Sequence, residues 1–360
     1  MINRIILYIM AFGAVLGGGD YILGNRFGLG QRFAEALGLL GSVALSMAGI
    51  LCLSPVLSGV LGRFAAPICS AAGIDPGMLG SILPIDMGGY SMAMELAVDP
   101  QIGRFSGVLV SAMFGCTLVF TIPVGLGAMG AGDRPDFLKG ILIGLVSLPA
   151  GILVGGLLSG LSFGTILRQT MPVLLLCGAL LVGLLRKPEA MIRLFQGFAK
   201  GIRAVSGFGL TVGAVAYMTG WNPIPGFAPL MEAMEVACSI AIVMLGSMPL
   251  AELCQRLLRR PFAWVGRRTG LNEVSTTGLL LSVVSVVPAL AMVPRMDRRG
   301  KVVCGAVCVC GASTFAAHLG YTIAAEPDMA FALLAAKLTG ALLGAGLALM
   351  LELRAGSRAS

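Results

Sequence analysis

The sequence predicts an all-α polytopic membrane protein built from two inverted repeats, with about nine transmembrane helices and two re-entrant hairpins. Three observations predict it. The chain is 57% hydrophobic and only 12% charged, with 52 glycines in 360 residues, whereas soluble domains are about 25% charged. Apolar segments near the roughly 20 residues that cross a bilayer recur from end to end. The two halves resemble each other at a near-constant offset, and their basic loops point in opposite directions.

The apolar segments fall at about 5–23, 37–61, 78–97, 105–130, 137–160, 171–185, 202–220, 234–258, 274–293, 302–325 and 329–351. They leave no stretch between them for a soluble domain. The opening MINRIILYIMAFGAVLGGGD has the charge and apolar core of a signal peptide. Ten further apolar segments make an uncleaved first span the expectation.

The stretch RFSGVLVSAMFGCTLVFTIPVG from Arg104 runs beside KVVCGAVCVCGASTFAAHLGYT from Lys301, with Gly103 and Gly300 matched at an offset of 197. Upstream, Pro55 meets Pro249 and Pro67 meets Pro261 at 194, and Gly73-Ile74-Asp75 faces Gly270-Leu271-Asn272 at 197. A duplication explains this. It divides a single transport domain into repeat one at about 1–160, a linking helix at about 168–187 and repeat two at about 197–353.

The third segment of each half is the exception. In the second half it has Arg256, Arg259, Arg260, Arg267 and Arg268 before it and Arg295, Arg298, Arg299 and Lys301 after it. Both ends favour the cytoplasm, so the segment enters the membrane and turns back. Its counterpart at 78–97 has only Arg63 before it and Arg104 after it, as expected if both its ends face outward. The N-terminus is then outside, the C-terminus inside, RKPEAMIRLFQGFAK inside, and WNPIPGFAP and EPD outside.

Within SILPIDMGGYSMAMELA, Pro84, Gly88 and Gly89 break a helix around Asp86. Irregular backbone at mid-membrane survives only where it lines a cavity or is buried in protein. A carboxylate there costs about 2.5–3.5 kcal/mol on insertion scales, so Asp86 is the leading candidate for holding a polar solute or ion. Glu95 stands nine residues on, where it is a second candidate or simply reaches interfacial water. Lys337 lies deep in FALLAAKLTGALLGAG. It pairs with Asp86 or Glu95, acts as an internal cation that substrate displaces, or forms a purely structural pair.

His318 in STFAAHLGYT occupies the repeat position of Thr121 in TLVFTIPVG, and Gly320 matches Pro123, so each helix carries a polar residue beside an expected break. Unwound backbone there offers carbonyls to a cation. His318 is read as a hydrogen-bond partner or proton carrier, with packing as the plainer alternative. Ser282, Ser285 and Pro288 mark the tip of the second hairpin, with the hydroxyls of Thr117, Ser313 and Thr314 nearby. Tyr90 and Tyr321 offer a cationic ligand an aromatic face, while Trp221 is an interfacial anchor.

The remaining composition excludes other chemistry. Net charge is +8, but the basic residues cluster in short loops such as RRPFAWVGRR and RMDRRGK, which the positive-inside bias explains without nucleic acid. Nine cysteines form no CxxC pair and there is one histidine, so neither disulfides nor a metal site is expected. No GxxxxGK[ST] occurs, and no cofactor is implied. An intramembrane enzyme needs a nucleophile with a base or paired metal-binding acids, for which only His318 is at hand.

At DMGGYSMAMELA, MDRRGKVV, HLGY and AKLTGALLGAGLALML the sequence resembles the ethanolamine-utilisation permeases, the EutH-type family of bacterial inner-membrane proteins, over nearly the whole chain. The resemblance implies uptake of ethanolamine, mainly as its ammonium form at low external pH, and a functional link to a cytoplasmic ethanolamine ammonia-lyase pathway. Two positions depart from the family pattern: Ser285-Val286 replace a polar amide pair, and Ala317 replaces an acidic residue before His-Leu-Gly.

Two transport readings follow. In the first, Asp86 holds the ammonium of a small amine and His318 its hydroxyl or a proton, with Tyr90, Glu95, Thr117, Thr121, Ser285, Ser313 and Tyr321 around it. In the second, the same architecture carries another small polar solute or amine, and Asp86 binds a coupling cation. The partners are then the small-molecule substrate and the lipid bilayer, and a homo-oligomer is compatible with the pattern.

Overall fold

The computed structural model describes residues 2–82, 89–127, 129–130 and 132–357. Asp86, Pro84 and Gly88 lie outside the described residues. Among those described there are helices and turns and no strands.

Helix α1 spans Ile2–Ile22, α2 Leu29–Gly38, α3 Leu40–Phe64 and α4 Ala66–Ala71. Two short helices follow, α5 at Leu79–Ile82 and α6 at Gly89–Leu96. Helix α7, Pro100–Arg104, continues directly into wide π-helical turns over Phe105–Gly115 and Thr117–Leu126. Helices α8 (Arg134–Leu158), α9 (Phe163–Arg186), α10 (Pro188–Thr219) and α11 (Leu230–Thr269) are long. A second short pair comprises α12 at Glu273–Val284 and α13 at Val286–Met292. Helix α14 (Arg298–Gly311), a wide turn at Thr314–His318, α15 (Leu319–Ala325) and α16 (Ala330–Ser357) complete the chain.

Nine of these helical stretches are long and apolar enough to cross a membrane. This is a multi-pass membrane protein. The sequence expected about that number, and each expected span overlaps one of the nine. The spans differ in what surrounds them: 17% of the most apolar stretch of α10 is buried against 83% for Arg298–Ala325. Helices such as α10 present apolar side chains outward as lipid-facing helices do, while α14 and α15 are enclosed by protein.

Close helix crossings are built on glycine. A Cβ at Gly140 of α8 would stand 2.1 Å from the Val302 carbonyl oxygen of α14, and one at Gly305 would stand 2.3 Å from that of Phe137. Packing in lipid depends on such backbone approach, because apolar side chains gain little by leaving lipid for protein. The largest apolar core lies where α8, α14, α16 and the wide helix meet, around Phe105, Phe114, Phe137 and Leu333.

The helices pair crosswise. Helix α1 packs on α11 and α3 on α10, while α14 packs on α8, α16 on the wide helix and α8 on α16. Ion pairs gather at one end of the bundle, with Lys301 on Asp133 at 2.6 Å, Arg32 on Glu252 at 3.1 Å, Arg298 on Asp136 at 3.3 Å, and Lys139 on Glu352. At the opposite end Asn3 donates to the Asp328 carbonyl, Gln101 to that of Ser159, and Arg104 meets Glu326.

Candidate functional site

Each short helix pair is tied at its base by a carboxylate. Asp75 caps its own turn by accepting from Gly77 N at 2.7 Å and also accepts from Asp99 N at 2.9 Å, across the segment that holds α5 and α6. Asp297 accepts from Gly300 N at 3.1 Å, as the cap of α14, and from Asn272 N at 2.9 Å, across the segment that holds α12 and α13. Each segment therefore leaves and returns to one place. The α5 and α6 backbones lie against each other: a Cβ at Gly80 would stand 2.5 Å from the Gly89 carbonyl oxygen.

The α12–α13 pair breaks at Ser285, whose φ of −145° and ψ of 119° are extended. Opposite it α14 breaks at Ala312 and Ser313, and Ser313 holds the left-handed conformation with φ 51°. The two breaks are joined. Ser313 N donates to the Ser282 carbonyl at 2.9 Å, and Ser313 Oγ accepts from Val286 N at 3.2 Å. Val286 opens α13, so the Ser313 hydroxyl satisfies one of the donors that a helix start leaves orphaned.

His318 follows by one wide turn, its N–H reaching the Ser313 carbonyl at 3.2 Å. Its ring is 3% exposed, and Nδ1 lies 3.0 Å from the Ala312 carbonyl oxygen. A carbonyl only accepts, so Nδ1 carries a proton and Nε2 is the nitrogen whose protonation can change. The structure places the interruption before His318. Gly320 lies inside α15 and Pro123 inside the wide helix, so neither ends a helix as the sequence reading expected. The Thr117 hydroxyl donates to the Met113 carbonyl four residues back, and Pro123 withholds a donor from its own turn. Both loosen the ordinary α ladder and favour the wider one.

Thr117 Oγ1 shares its single proton between the Met113 and Val309 carbonyls, the latter at 3.0 Å, and Thr121 Oγ1 donates to the Cys308 carbonyl at 3.4 Å. Both threonines are wholly buried and join the wide helix to α14. Lys337 on α16 is fully buried too, and its Nζ donates to the Ala112 carbonyl at 2.9 Å. Next to Ala112, Ser111 stands beside Gly89, where an added Cβ would meet its Oγ at 2.8 Å.

Tyr90 on α6 and Tyr321 on α15 stand edge to face, ring centroids 6.1 Å apart and planes at 79°. Tyr321 is 3% exposed. Glu95 instead meets α3, where Ser54 Oγ donates to it at 3.0 Å. It lines a cavity of about 520 Å³ with Ser58 and Arg63. The nine cysteines are all free thiols.

The structure thus brings Ser282, Ser285, Ser313 and His318 together, joins Tyr90 to Tyr321, and sets Glu95 against α3. Sequence reasoning missed Asp75 and Asp297 as ties and Glu326 as the acceptor of the Tyr90 hydroxyl at 2.9 Å. Tyr90 and Glu326 stand 236 positions apart, and only the EPD loop sequence hinted at a carboxylate there.

The family model that describes "Ethanolamine utilisation protein, EutH" matches residues 2–351. A protein of Listeria monocytogenes named "Probable ethanolamine permease EutH" is 39% identical over 94% of this chain and 91% of its own. One of Salmonella typhimurium with the same name is 35% identical over 97% and 95%. "Uncharacterized protein YxeR" of Bacillus subtilis is 40% identical over 96% and 94%. No solved structure matches the chain.

Proposed function

From the premise that this chain belongs to the ethanolamine utilisation protein EutH family, we propose that it is a permease of the bacterial inner membrane, not an enzyme, that imports ethanolamine as ethanolammonium for breakdown in the cytoplasm. The names of its relatives from Listeria and Salmonella support the cargo. The observation that carries a transport mechanism is the pair of joined breaks at Ser285 and Ser313. Interrupted helices at mid-membrane expose carbonyls and helix ends to a polar solute, and this is how many secondary transporters hold substrate.

In this reading the two short helix pairs are re-entrant hairpins, tied at their bases by Asp75 and Asp297. The crosswise packing of α1 on α11 and α3 on α10 supports two inverted repeats. Asp86 holds the ammonium, and His318, with Nδ1 fixed by Ala312, offers Nε2 to the hydroxyl or to a proton. The Tyr90 and Tyr321 rings form an aromatic wall that favours a cation. Lys337 is the internal positive charge that balances the carboxylate between turnovers, since an ionisable group this deep is retained for function.

The test is uptake of labelled ethanolamine at acidic external pH by proteoliposomes carrying the wild-type chain or Asp86→Asn at equal abundance. Saturable uptake abolished by the substitution supports the reading. No uptake by folded wild type points to another small polar solute or amine. Unchanged uptake by the variant removes Asp86 from the site.

A further inference from the structure

Glu326 has no role in the mechanism above, yet its setting is unusual. It follows α15 at the end of the bundle opposite the ion-pair cluster, and its side chain is 13% exposed. Tyr90 Oη donates to its Oε2 at 2.9 Å, and Arg104 Nε stands 3.2 Å from the same oxygen. Oε1 accepts no hydrogen bond among the described residues. Glu326 and Arg104 both line a cavity of about 470 Å³ with Asp99, Gln101 and Ser159. Asp99 is already engaged as the cap of α7 through Gln101 N.

Arginine–carboxylate pairs are frequently bidentate, the planar fork gripping both oxygens. Here it takes one. The partners are also unequally buried, with Arg104 48% exposed against 13% for Glu326. The guanidinium can swing into water at little cost, whereas the carboxylate is left charged in a desolvated place and needs another cation. A small ammonium reaching Oε1 through the cavity supplies that charge and repels Arg104.

We propose that Glu326 is the carboxylate that first receives the ammonium of the transported amine at the outer end, with Arg104 as its resting counter-ion. Tyr90 links this exchange to the interior. Its hydroxyl binds Glu326 while its ring stands against Tyr321, and it belongs to α6 of the first short helix pair. Exchange of the cation at Glu326 is therefore transmitted to α6 through the Tyr90 hydroxyl. This rests on the permease reading, and it adds an outer receiving site to the interior one.

The experiment measures initial rates of labelled ethanolamine uptake against concentration for wild type, Glu326→Gln, Arg104→Gln and the double variant. Glu326→Gln is expected to raise KM by about tenfold, the loss of one moderately desolvated ion pair. Arg104→Gln is expected to lower KM by about threefold, because the competing cation is gone. The double variant should match Glu326→Gln. Opposite signs are the signature, since a merely structural pair suffers in the same direction whichever partner is removed. A raised KM for Arg104→Gln overturns the proposal, and because Arg104 is half exposed that single result decides even if Glu326→Gln does not accumulate. Wild type that moves no amine overturns the permease reading and this proposal together, whereas wild-type uptake with same-sign changes overturns this proposal alone.

Discussion

Replacing Ser313 by alanine removes the oxygen that accepts the Val286 N–H at 3.2 Å and leaves the left-handed backbone at φ 51° as it was. Val286 is 4% exposed, so water does not readily replace the lost acceptor. An unsatisfied buried amide costs about 1–3 kcal/mol. Ser313→Gly loses the same oxygen but escapes the Cβ clash of the left-handed conformation, worth about 1–2 kcal/mol. It also gives back several tenths through the freer unfolded chain. The backbone bond from Ser313 N to the Ser282 carbonyl survives in both. Wild type should therefore be the most stable, glycine intermediate and alanine the least, with about 1 kcal/mol between the two variants. Thermal unfolding midpoints of the purified proteins in one detergent would rank them. Alanine as stable as wild type, or glycine below alanine, would refute the argument that Ser313 joins the two breaks under backbone strain.

Three further outcomes follow from the packing. Gly140→Leu places a side chain where even a Cβ would stand 2.1 Å from the Val302 carbonyl oxygen, so α8 and α14 must separate; membrane-extracted yield should fall severalfold, while Gly178→Leu, at a glycine with no neighbour within 4 Å, should leave it unchanged. Asp297→Ala removes both the cap of α14 and the tie to Asn272 and should destabilise by about 1–2 kcal/mol, with faster proteolysis between Arg268 and Arg299 as the readout. Lys337→Met keeps the buried stem and removes the charge, and is expected to abolish uptake while the protein still accumulates in the membrane; normal transport would make the lysine structural.

Much of this architecture was legible because lipid imposes it. A chain in a bilayer must satisfy its backbone within each segment, so segment length and hydropathy marked eleven apolar segments, and the basic residues flanking two of them reduced the expected spans to about nine. Ser282, Ser285 and Pro288 marked the tip of the second short pair, and the break falls at Ser285. The break beside His318 was displaced in the reading: Gly320 and Pro123 are strong local breakers in water, but α15 is enclosed by protein and Pro123 sits in a wide helix that Thr117 also favours. The actual interruption, at Ala312 and Ser313, is held by contacts from α12 and α13, and no local propensity announces it.

The sequence by itself determined an all-helical membrane protein, its basic end, its family and the residues whose burial in lipid demands a reason. Those properties are sums over local composition and spacing. Only the tertiary structure decided that Ser313 satisfies the start of α13, that Asp75 and Asp297 tie the short helix pairs, and that Tyr90 and Arg104 share one oxygen of Glu326. Each of these joins groups far apart in the chain through hydrogen bonds or an ion pair of about 3 Å, and a contact of that range depends on how helices are set against one another, which no single segment encodes.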